Sequence, residues 1–178
     1  MNTNFRKKFL ILCILGSLLI VWLCSANHVV TYFFIPIDNQ AKKGDISQFP
    51  EKDEVVIAIK EETNLSDTWD SYRIAGGAFC ETQEAHQYRK IQLVLKSDRT
   101  TYIIPATSSI RVDVFYEFEG IKKMPDGSVG FESEFSTLNI TAGTYELYIY
   151  VWENENAYGI TNSGHIYIKD SQGFKKYE

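Results

Sequence analysis

The chain has 178 residues, of which 18 are basic and 23 acidic, and aromatic side chains make up 14% of it. That length suits one domain with its own core plus a short additional segment. The net charge of −5 argues against nucleic acid as a partner, because an acidic surface repels phosphate polymers.

The N-terminus carries the first directional signal. Arg6, Lys7 and Lys8 stand directly before the sixteen positions of the apolar run Phe9–Cys24. A cationic start stays on the cytoplasmic side while the apolar segment enters the bilayer and draws the following chain across. A signal h-region takes about 7–15 residues and a spanning helix about 20, so the run falls between the two. Residues 1–26 therefore read as a signal peptide or as a signal anchor. Cys24-Ser25-Ala26 supplies the small residues that cleavage after Ala26 needs, and Trp22 suits the interface of a retained hydrophobic helix. The expected location is the cell membrane, single-pass with the N-terminus in and the C-terminal domain outside, or secretion if the segment is cleaved.

Cys13 and Cys24 lie in that run and Cys80 alone remains, which leaves the folded part without an intrachain disulfide. Beyond residue 26 the chain carries 15 basic and 23 acidic residues, a net charge of −8. The dominant hydrophobic period there is two, which predicts an all-β domain.

Residues 27–53 read as a first strand, Val29–Ile37, and a polar tether. The domain itself is expected over 54–169, with strands at Glu54–Lys60, Tyr72–Cys80, Arg89–Lys96, Thr101–Pro105, Ile110–Phe118, Val129–Phe135, Thr144–Trp152 and Gly164–Lys169. In Ile110–Phe118 the alternation places Ile110, Val112, Val114, Tyr116 and Phe118 inward. The Gly76-Gly77 pair invites close approach of a backbone or a bulky ring. Met124-Pro-Asp-Gly127 is turn chemistry. Residues 170–178 read as a polar tail. About nine short strands with polar turns predict an antiparallel β-sandwich.

Three local patterns occur in order: Tyr72-Arg-Ile-Ala-Gly-Gly-Ala-Phe79, Ser109-Ile-Arg-Val-Asp-Val114, and Gly130-Phe131 with Leu138 through Ala142-Gly-Thr-Tyr-Glu-Leu147. Together they resemble the immunoglobulin-like extracytoplasmic modules of bacterial cell-envelope proteins, over roughly residues 54 to 169. The resemblance implies an immunoglobulin-like sandwich presented outside the cell, and it transfers no catalytic residue. Such modules tend to carry an aromatic where this chain has Gly77.

His28, His86 and His165 have no partner at a metal-ligand spacing, and no G-x-S-x-G occurs. No metal, cofactor or catalytic residue is expected from these patterns. The acidic loop Trp152-Glu-Asn-Glu-Asn156 reads as solvated charge or as oxygen ligands for calcium. Arg111 and Asp113, two apart on one strand face, read as a surface ion pair or as the lining of a polar groove.

Tyr148, Tyr150 and Trp152 share the face opposite the core face of their strand. They form an exposed strip for sugar rings or a partner protein, or a surface covered by Val29–Ile37 or by the 61–71 loop with Trp69. The reading that unites these features is a non-enzymatic, membrane-tethered or secreted β-sandwich acting as a cell-surface interaction module toward an envelope protein. A carbohydrate-binding module using the aromatic strip, and an envelope-polysaccharide-processing enzyme with a carboxylate pair, are the alternatives.

Overall fold

The computed structural model describes residues 13–18, 40–65, 70–81, 89–118 and 129–177. Residues 13–18, inside the apolar run, are helical, and among the described residues no helix is long and apolar enough to cross a membrane. The basic start, the expected strand Val29–Ile37, Trp69, His28, His86 and the turn Met124–Gly127 lie outside the described residues.

The strands are β1 (Lys42–Gly44), β2 (Val55–Asn64), β3 (Ser71–Cys80), β4 (Lys90–Lys96), β5 (Thr101–Ser109), β6 (Gly130–Ser136), β7 (Gly143–Asn154), β8 (Ala157–Asp170) and β9 (Gly173–Lys176). Their pairings are antiparallel, in the order β2-β3-β6-β5-β4-β7-β8-β9, with β1 added on β5. β5 belongs to two layers. Residues 101–106 pair with β4, and Thr107–Ser109 pair with β6. Pro105, which has no N–H to give a ladder, sits at the changeover, and its carbonyl accepts from Ser133 Oγ at 2.9 Å. The result is a larger sheet (β1, β5, β4, β7, β8, β9) folded onto a smaller one (β2, β3, β6 and the end of β5).

The two ends of the path meet. Asp53 N donates to the Tyr158 carbonyl at 3.0 Å, and Tyr158 N donates to Asp53 Oδ2 at 3.1 Å. Lys176 on β9 reaches Glu62 on β2 at 2.6 Å. Side chains and a single backbone pair, rather than a ladder, thus bring the sheet to a nearly closed barrel or sandwich.

The core follows the alternation. Ile91, Leu93 and Leu95 on β4 and Tyr145, Leu147, Ile149 and Val151 on β7 are all buried, facing Ile74, Phe131 and Phe135. Burying one such side chain contributes about 1.5–3 kcal/mol. Gly76 and Gly77 are used as their missing side chains allow. A Cβ on Gly76 would strike the β2 backbone, and one on Gly77 would strike Val114 and Phe118.

Three expectations are corrected. Ile110–Phe118 is not a strand: Val112–Phe115 forms a short helix, α1, followed by a 3-10 turn, Tyr116–Phe118. Val114 and Phe118 sit four apart, so they also match one face of a helical turn, and the hole over Gly77 receives both. The supposed tail 170–178 contains β9, whose Phe174 is 2% exposed and stacks on Tyr167 at 5.2 Å. Its entry turn uses Asp170 Oδ1 as acceptor for Gln172 N and a left-handed Gly173. The last strand of the large hairpin is also longer than Gly164–Lys169: β8 begins at Ala157.

Candidate functional site

The domain offers two outer surfaces, one per sheet. On the smaller sheet, α1 lies across β2 and β3. Val114 and Phe118 point down into a small second core with Phe79 and Val129, edged by Val56 and Ala58. Three side chains of the segment point away: Ile110 is 78% exposed, Val112 65% and Tyr116 68%. This is a ridge of large apolar side chains held in place from below.

Arg111 caps the start of that ridge and pairs with Asp113 through two bonds, Nε to Oδ1 at 3.0 Å and Nη2 to Oδ2 at 2.6 Å. The hydrogen bond from Arg111 holds the Asp113 carboxyl below its ordinary range. The ion pair expected of these two residues is therefore present, but on a cap and helix rather than along one strand face. Arg111 also reaches Glu61 at 3.6 Å, and Arg73 gathers Glu61, Glu132 and Glu134 at 3.4, 3.0 and 3.6 Å. Lys60 pairs with Glu117. A shallow groove of about 300 Å³ runs beside this cluster, lined by Thr107, Ser109, Glu132 and Glu134. Its two carboxylates share Arg73, so both are held as ion-pair partners.

On the larger sheet, strand register places Lys90, Trp152 and Tyr158 in one cross-strand row. Gln92, Tyr150 and Ile160 form the next, and Val94, Tyr148 and Asn162 the third. The continuous strip expected of Tyr148, Tyr150 and Trp152 is interrupted. Phe49 lies on Tyr150 with ring centroids 4.7 Å apart, leaving Tyr150 7% exposed. Burial, with Cys80 and Tyr158 nearby, pushes the Tyr150 phenol up. Among the described residues, the segment that covers Tyr150 is the one around the 3-10 turn Ile46–Gln48. That turn is fixed by Asp45 Oδ1 accepting from Ser47 N at 2.9 Å.

Tyr148 is half-buried, donates to Glu146 at 2.8 Å and has Lys96 over its ring at 5.6 Å. Trp152 remains open at 38% exposure. Lys52 stands over the Tyr158 ring at 5.7 Å.

The inward turns of two carboxylates are not legible in the sequence. Glu153, in the loop read as solvated charge or calcium ligands, turns inward: its side chain is fully buried and accepts from Arg89 Nε at 2.6 Å. A register shift between Trp152 and Asn154 makes this turn. Glu62 is likewise turned inward by the irregularity at Lys60 in β2, opposite core residue Ile74. It accepts from Tyr167, from Lys176 at 2.6 Å, and bonds His165 Nδ1 at 2.7 Å. Burial alone would raise its pKa, but the bonds from Lys176, Tyr167 and His165 outweigh it and hold the carboxyl low. His165, which has no partner at a metal-ligand spacing, is therefore half-buried at the closure. Cys80 is a core residue whose thiol burial pushes up to about 12, the opposite of activation.

No protein-family model, curated protein or solved structure matches the chain.

Proposed function

We propose that the chain is a non-enzymatic, membrane-tethered or secreted β-sandwich of immunoglobulin-like type. On this reading it acts outside the cytoplasm as an interaction module at a bacterial cell surface. The N-terminal apolar segment delivers it there and, if retained, holds it by a single hydrophobic helix. The partner is an envelope protein, docking on the α1 ridge.

One observation carries the reading: Ile110, Val112 and Tyr116 are 65–78% exposed on a segment anchored from below by Val114 and Phe118. Large apolar side chains displayed together, with a polar surround, mark a surface that gains from being covered. The surround here is a rim of ion pairs, Arg111–Asp113, Lys60–Glu117 and Arg73 with Glu132 and Glu134, which bounds the apolar centre with polar groups. The sharing of Arg73 by Glu132 and Glu134 supports the non-enzymatic side, since neither carboxylate is placed alone in the groove as an acid or base.

The test is site-specific photocrosslinking of the full chain in its native membrane, with the crosslinker at Ile110, at Val112 and, as control, at Asp98. The reading expects one adduct of the same mass from both ridge positions and none from Asp98, and an adduct lost on V112D. Equal labelling at all three positions, or none at the ridge, would contradict it. The exposed Trp152 supports a second reading, in which a glycan is also bound.

A further inference from the structure

We propose that the outer face of the larger sheet binds an acidic polysaccharide, with Trp152 as the stacking platform and Lys90 and Lys52 as the anion-binding groups on either side. The site stands apart from the α1 ridge and does not depend on it. Trp152 is the half-open member of a row whose cross-strand neighbours are Lys90 on β4 and Tyr158 on β7's other partner, β8. Directly opposed residues on one sheet face lie about 5 Å apart at Cβ, so the indole, the phenol and an ammonium share one platform. Lys52 extends it from the other end, over the Tyr158 ring at 5.7 Å. Phe49, resting on Tyr150, forms a wall along one side.

The occupant follows from the chemistry of that row. A pyranose ring presents an apolar C–H face of about the size of an indole, and its hydroxyls stay in water while the two stack. The charges select among sugars. Lys90 and Lys52 make no ion pair among the described residues, whereas the cations facing the groove of the smaller sheet, Lys60, Arg73 and Arg111, all do. Two ammonium groups that form no ion pair among the described residues, beside an open indole, match a sugar bearing carboxylate groups. Two carboxylates near the row are engaged: Asp53 accepts from Tyr158 N, and Glu153 is turned inward onto Arg89. One ring and two surface ammonium groups bind a single sugar weakly, so retention depends on the repeated units of a polymer.

Affinity electrophoresis of the full chain in gels containing polygalacturonate, with neutral dextran as the comparison, tests this. Polygalacturonate is expected to retard the protein and dextran not to, with retardation falling steeply as salt rises. W152A is expected to weaken the apparent affinity about tenfold. K90E, which keeps the ring and disturbs only an exposed position, is expected to weaken polygalacturonate binding about as much while leaving the circular dichroism spectrum unchanged. The double variant I110S/V112S is expected to bind polygalacturonate as wild type does. Equal retardation by dextran, wild-type binding by a folded K90E, or loss of binding only in I110S/V112S would each overturn the proposal. The last result would leave the ridge reading intact, so the two fail separately.

Discussion

The outer surfaces of the two sheets are built from the same residue types and end in opposite states. On the smaller sheet the charges are consumed internally: Arg73 holds three carboxylates, Arg111 two, and Lys60 one. A short helix then covers the strands and displays apolar side chains. On the larger sheet the cover, among the described residues, is a loop whose Phe49 rests on Tyr150. Trp152 stays half-open, and Lys90 and Lys52 stay free of ion pairs among the described residues. Hydrophobic alternation alone marks both surfaces as the side away from the core. What separates them is which cover each receives and whether the cations find carboxylates.

The contrast can be broken from beneath. Glu153→Ala would remove the buried carboxylate that accepts from Arg89 Nε, at a cost of about 3–5 kcal/mol measured by denaturant unfolding. It would also release the inward turn that sets Trp152 outward. Gly77→Val fills the hole that receives Val114 and Phe118, so α1 must lift; about 1–3 kcal/mol is expected, with loss of helix contacts visible by hydrogen exchange. Phe49→Ala uncovers Tyr150 and should cost about 1 kcal/mol, while making the expected three-aromatic strip real. Lys60→Ala, which removes a partly exposed pair, should cost no more than about 1 kcal/mol.

Glu62 sharpens the comparison along pH rather than composition. Its folded carboxyl titrates below the unfolded one. The stability it contributes is thus fully present above the ordinary carboxylate range and is lost as pH falls through the lower, folded value. Thermal melts should show a Tm that declines on acidification in wild type and declines less steeply in Glu62→Gln. An unchanged slope would mean that the closure does not rest on this carboxylate. The smallest effect is expected at the ridge. The pair Ile110→Ser and Val112→Ser should alter stability by no more than about 0.5 kcal/mol, because neither side chain is buried.

Much of the β framework is readable from the sequence because β4 and β7 bury alternate side chains, and a period of two sustained over seven residues or more is the mark of a half-buried strand. The segment 110–118 misleads for a physical reason. Val112 and Val114 alternate as strand residues do, yet the energy is decided by a pair four apart and by a glycine on a distant strand. The first half of β8 escapes a reading by pattern because Thr161, Asn162, Ser163 and Gly164 lack large apolar side chains, although the backbone pairs with β7. At the candidate sites, Arg111 and Asp113 are legible as a pair because they are two apart in sequence. The covering of Tyr150 by Phe49, and the inward turns of Glu62 and Glu153, depend on register shifts and long-range contacts that local pattern does not encode. β9 is hidden for a simpler reason: a four-residue strand with one buried ring, Phe174, looks like a polar tail.

The difference between the two surfaces is tested most directly by the fluorescence of Trp152. In a Trp22→Phe, Trp69→Phe chain it is the one remaining indole. Its emission can be quenched separately by iodide, an anion, and caesium, a cation. A half-exposed indole between Lys90 and Lys52 should be quenched more strongly by iodide, even though the net negative charge of the domain by itself favours caesium. Quenching that is stronger with caesium, or shielding from both ions, would contradict the account.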